Sequence, residues 1–197
     1  MINASNSKLH WNYFIALERD LDAMSRYIEF TTDNFEVYSI ELAHLLFAAA
    51  SEVDVVAKLL CEQVAPEAKR DNIHHYRDTL MPSLPELATM QVSVARHGLV
   101  MTPWDNWGTG TNPLWWGSYN KVKHERHSHF NQATLKNALN SLSALLVLNY
   151  EYYRHDIIAH TGDEPEPYHV TNTLKPDSTL LRLVGPYYSQ YLKARPS

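Results

Sequence analysis

The segment YSIELAHLLFAAASEVDVVAKLL, from Tyr38 to Leu60, governs what this chain can fold into. It is rich in alanine, leucine, valine and glutamate and reads as one long helix ending near Val64, with Thr31, Thr32, Asp33 and Asn34 ahead of it as a break and N-cap candidates. Leu45, Val53, Val56, Leu59 and Leu60 mark its buried side, so this helix is the expected apolar heart. An apolar stripe of that length needs other helices to cover it. Leu9, Tyr13, Leu17, Leu21 and Met24 recur every three or four positions and predict an amphipathic helix over residues 9–28. Pro66 suits the first turn of a helix holding Lys69, Arg70, His74, His75 and Tyr76, which Pro82 and Pro85 end. Leu135, Leu139, Leu142, Leu145, Leu146 and Tyr153 predict a further helix from a break near Asn131 to about Arg154.

Two stretches depart from helical spacing. In MQVSVARHGLVMTPW, residues 90–104, β-branched residues alternate on both sides of Arg96-His97-Gly98, which predicts a short β-hairpin inserted at about 88–104. GTGTN follows as a loop, and Asn112-Pro113 reads as a cap residue and proline opening the next helix. Beyond His160 the chain is proline-rich and polar. A loop is expected there, then a closing element around Leu180 to Leu192. The expectation is a mainly α fold: one helical domain over residues 1–160, with an extension over 161–197 packed on it.

Composition limits the function classes. The 197 residues are 45% hydrophobic and 20% charged, which suits one soluble globular domain. A formal charge of −5 argues against a surface that coats nucleic acid or an anionic membrane as a whole, so any polyanion site must be local. Cys61 is the one cysteine and lies in an apolar run, where a buried small apolar role is expected. No basic-then-apolar leader and no membrane-length apolar run is visible, so a cytoplasmic location and no membrane partner are expected.

Against this acidic background WWGSYNKVKHERHSHF, residues 115–130, concentrates three histidines, two lysines and an arginine behind two tryptophans. On a helix, Trp115, Tyr119, Val122 and Arg126 share one face, and Trp116, Asn120, Lys123, His124 and His127 share its neighbour. The polar groups thus form a ridge beside a core stripe, as a site at a helix junction needs, although any surface helix has a polar face. Glu52 falls among the buried residues of the long helix, where a carboxylate requires a cation; Arg126 or Lys123 is the expected partner. Trp104, Trp107, Trp115 and Trp116 are either base-stacking surfaces or packing anchors. Metal chelation is not expected: His124 and His127 share a face, but His129 points away and no HExxH or cysteine cluster completes a set. No phosphate-binding loop accompanies Gly108 and Gly110, and no cofactor is expected.

The order of a long apolar helix bearing an acid, a late helix with YNKVKH and a final leucine-rich helix resembles the HEPN superfamily, and more closely its bacterial members with a YNxxKHxR-type signature. The likeness spans roughly residues 9–155. It implies an antiparallel bundle of four to five helices, usually dimeric. In catalytic members the signature is arginine, a polar residue, three variable residues and histidine. On that pattern Asn120 takes the polar place and His124 the histidine place, while Tyr119 stands where arginine is expected. The resemblance implies an RNA-directed protein, in its catalytic form a metal-independent endoribonuclease of a bacterial defence or stress system. Asn120 and His124 would then be the catalytic pair, with Tyr119, Lys121, Lys123, Arg126 and His127 at the phosphate or RNA, and Glu52 as a supporting acid. Tyrosine cannot supply arginine's charge. A non-catalytic HEPN-like module that binds a nucleotide, RNA or a protein therefore stands beside the enzyme. A second arginine-histidine match, Arg70 with His75, lies in the wrong helix for the family.

Overall fold

The computed structural model describes residues 7–188 as a mainly helical fold with one small antiparallel sheet. Helix α1, Leu9–Met24, buries Trp11, Phe14, Glu18 and Leu21, which recur three and four apart. The expected stripe is rotated: Leu9 is 68% and Tyr13 43% exposed, because Trp11 and Phe14 offer the larger apolar area to the core. Helix α2, Ile40–Val64, starts later than expected. Ser39 Oγ accepts the amide hydrogen of Leu42 at 3.1 Å, and Thr32–Asn34 forms only a 3-10 turn. Helix α3, Ile73–Leu80, likewise starts beyond Pro66, at Asn72, whose Oδ1 accepts from the amides of His74 and His75 at 3.0 and 3.1 Å. Lys69 and Arg70 therefore lie outside it.

Strands β1, Val92–Val94, and β2, Leu99–Met101, form the expected hairpin, with Val92 opposite Met101 and Gly98 at φ 66° closing its turn. A third strand, β3, Leu181–Leu183, pairs antiparallel with the other edge of β1. It realises the start of the closing element expected over Leu180–Leu192; residues 189–192 lie outside the described residues. Asp105–Gly108 forms a short helix α4, Leu114–His129 helix α5 and Leu135–Thr161 helix α6. Asn112 does not cap α5: Pro113 occupies the cap position and makes no side-chain cap bond. Helix α6 begins at Thr134, whose Oγ1 accepts from the Asn137 amide at 3.2 Å, and runs past Arg154 to Gly162 at φ 78°.

The centre of the fold is α6, which is buried on every side from Ser141 to Glu151. Helices α1, α2 and α5 all pack on it, and α2 covers it over the greatest length. The expected heart, α2, buries one stripe only, so α6 takes that place. Cys61 is fully buried in this core, and burial pushes its thiol up to about 11, leaving it unreactive. The chain after α6 belongs to the same core: helix α7, Pro167–Thr173, contributes Val170, and Leu174, Leu180, Leu181 and Leu183 join it. Buried Glu18 anchors this return. Its carboxylate accepts from the amides of Thr179, Leu180 and Leu181 at 3.1, 3.1 and 2.9 Å and from the Ser178 hydroxyl.

Candidate functional site

The candidate site grows from two helix faces that meet over a small apolar patch. On α2, Ile40, Ala43, His44 and Phe47 are spaced as one helical stripe; on α5, Val122 ends the core-facing run that began at Trp115. Ala43, Val122 and Ala133 form a buried cluster separate from the main core, flanked by Phe47 and Phe130. No apolar residue stands between Val122 and Phe130, so nothing in that run anchors α5 to the core. The backbone leaves helical geometry there, at Glu125 with φ −136° and ψ 45°, and the residues that follow are re-aimed.

The result is an open cleft of about 900 Å3. Ile40, Ala43, Phe47, Val122 and Phe130 make its apolar side, and His44, Lys123, His124, Arg126 and His127 its polar side. Among the described residues no carboxylate lines it. Two acids stand at its margin: Glu41 Oε2 lies 3.7 Å from Nδ1 of the cleft's own His44, and Glu125 Oε2 lies 3.4 Å from Nε2 of His129, outside the cleft. Two permanent cations, with three imidazoles beside them, therefore concentrate positive charge on a molecule whose net charge is −5. Such a cleft suits an anion that also carries an aromatic or apolar group.

The expected site residues divide. Lys123, His124, Arg126 and His127 meet in the cleft. Arg126, expected on the core face, joins them because wheel geometry holds only for an unbroken helix and the kink intervenes. Asn120 is half-buried and does not line the cleft, and exposed Lys121 projects about 160° around the axis from Lys123. Tyr119, expected at the phosphate, is 7% exposed and packs edge-on to Phe47 at 6.1 Å and against Trp116 at 5.4 Å. Lys123 Nζ lies 5.3 Å from the Tyr119 ring centroid, so the tyrosine holds a cation over its face where an arginine was expected.

Glu52 is also a correction. Its Oε1 lies 2.6 Å from Nδ1 of His10 on α1, and this pair replaces the expected one with Arg126 or Lys123. Residue 52 falls beyond the stretch of α2 that α5 meets at Ala43 and Phe47. The four tryptophans at 104, 107, 115 and 116 are all at least nine-tenths buried and mutually packed, with Trp115 Nε1 donating to the Pro103 carbonyl at 2.9 Å, so none is free to stack on a base. Arg70 donates to the Pro66 carbonyl at 2.7 Å and reaches Glu62 at 3.5 Å, while His75 sits 3.8 Å from Asp71. That second arginine-histidine match thus makes no common site.

Sequence reasoning missed His44, Phe47 and Phe130. The signal was present in the spacing 40, 43, 44, 47, but only a partner helix shows that this stripe is left partly open. Among the described residues no group of three or more histidine, cysteine, aspartate or glutamate side chains converges to hold a metal ion, and no helix is long and apolar enough to cross a membrane. No family model, no curated protein and no solved structure matches the chain.

Proposed function

We propose that the protein is RNA-directed and HEPN-like, and that the cleft between α2 and α5 binds the phosphates and bases of single-stranded RNA or a nucleotide. The observation that supports this reading most is the gathering of Lys123, Arg126, His44, His124 and His127 beside Phe47 and Phe130. Cations neutralise phosphate, and aromatic faces accept bases without sequence preference.

In its catalytic form the reading is a metal-independent endoribonuclease. One imidazole removes the proton of a ribose 2′-hydroxyl as its oxygen attacks the adjacent phosphorus; the bond to the 5′-oxygen breaks, and a second imidazole returns a proton to that leaving oxygen. The products are a 2′,3′-cyclic phosphate and a 5′-hydroxyl. Imidazole, with an ordinary pKa of about 6.5, suits both roles. His124 is the first candidate, and His44 and His127 are the cleft histidines that supply the second group; pairing of two chains through α5 would bring two such clefts together. The non-catalytic module is favoured by two observations: Tyr119 is core and Asn120 lies outside the cleft.

A labelled single-stranded RNA incubated with the protein in excess chelator separates the readings. Cyclic-phosphate fragments that vanish in His124→Ala, with the fold retained by circular dichroism, support the enzyme. Binding without fragments supports the module, and absence of both overturns an RNA-directed role.

A further inference from the structure

The segment entering α2 exposes three apolar side chains within four residues: Val37 is 38%, Tyr38 50% and Ile40 63% exposed. Single exposed apolar residues are ordinary on a protein surface, whereas a run of them beside a binding cleft marks a contact surface. This run adjoins the basic cleft at two points. Ile40 lines the cleft itself, and the Tyr38 ring stands edge-on to that of Phe130, with 5.6 Å between centroids. Phe130 lines the cleft and Tyr38 does not, so Tyr38 carries the aromatic surface from the wall out onto the rim.

The backbone holds this ring in place. The Val37 carbonyl accepts the Leu135 amide hydrogen at 2.8 Å, the Phe35 carbonyl accepts that of Lys136 at 3.1 Å, and Tyr38 forms an isolated antiparallel bridge with Thr134. On the other side of Tyr38, Ser39 caps α2. Phe130 opens a 3-10 turn, and its carbonyl accepts from the Ala133 amide at 3.0 Å. An aromatic ring left half-exposed on a pinned backbone offers stacking area that loses little freedom when a ligand arrives. Next to lysine, arginine and imidazole side chains, such a ring matches a nucleic-acid strand, in which bases and phosphates alternate.

Resting on the reading of this cleft as a phosphate and base site, we propose that its ligand is an unpaired RNA strand longer than a mononucleotide. One base lies in the cleft against Phe47, its phosphate meets Lys123 and Arg126, and the adjoining base stacks on Tyr38 at the rim. Fluorescence anisotropy with a labelled single-stranded RNA octamer, an abasic octamer of the same charge, and AMP tests it. Octamer affinity is expected to fall about tenfold in Tyr38→Ala and in Tyr38→Leu, which keeps an apolar side chain but removes the flat face, and to be retained in Tyr38→Phe. The abasic octamer and AMP should bind wild type and Tyr38→Ala equally. The fold is retained in these variants because the bonds that pin residue 38 are backbone bonds. Equal octamer affinity in wild type and Tyr38→Ala, or an equal loss for the abasic octamer or AMP, would overturn the inference and leave the cleft reading standing. Absence of binding by the octamer and AMP alike would overturn both.

Discussion

The basic cleft between α2 and α5 and a recess on the α6–α7 side, lined by Glu86, Glu151, Arg154, Glu164 and Glu166, differ in how their charge is held. In the cleft the cations are exposed, stand on a kinked end of α5 and rest on a satellite apolar patch. In the recess the central ion pair sits on α6 within the core, with the Glu151 and Arg154 side chains only 3% and 18% exposed. Exposed charge binds ligands with little consequence for folding, whereas buried charge is part of the fold and must stay paired. The cleft cations are therefore open to substitution and the Glu151–Arg154 pair is not.

The largest effect that sharpens this contrast is expected from Arg154→Ala. It strands a buried carboxylate and should lower stability by about 3–5 kcal/mol in urea unfolding; a loss under about 1 kcal/mol would erase the distinction. Next comes pH. Burial pushes the Glu151 carboxyl up to about 7, against the lowering pull of Arg154 and with the Glu86 and Glu164 charges adding to the rise. The folded chain then holds a proton that the unfolded chain, at an ordinary 4.5, releases. Stability from this group is present below that value and is lost, by about 3 kcal/mol, as pH rises through about 7. Glu151→Gln should flatten the profile, and an unchanged slope would show that the carboxyl is better solvated than the fold indicates.

On the other side, Lys123→Ala with Arg126→Ala is expected to weaken RNA binding about tenfold and to reduce its salt dependence by about one ion, with unfolding midpoints unchanged. A marked loss of stability instead would mean that the cleft charges are structural. The smallest effect is expected from His44→Ala, a roughly threefold loss of RNA affinity. No loss would remove α2 from the binding surface.

The helices, the hairpin and the basic stretch were legible because each depends on local spacing. Helix starts were less so: Ser39 caps α2 in place of Thr31–Asn34, and α3 starts at Asn72, beyond the first-turn position expected for Pro66, since several start signals compete and tertiary packing selects among them. Glu52 was recognisable as an acid in need of a partner, but α1 lay as near to it as α5 by every sequence criterion, and His10 took the place. Tyr119 was read through a family pattern, whereas its environment is aromatic core.

By itself, the sequence determined a mainly helical molecule with a hairpin insertion and a basic segment in an acidic chain, because periodicity and composition act within a few turns of backbone. Tertiary structure alone decided that α6 is the centre, that Lys123, His124, Arg126 and His127 share a cleft with His44, and that Glu151 and Arg154 lie buried beneath a second recess. Those outcomes depend on which helix faces meet, and that is fixed by packing between residues far apart in the chain.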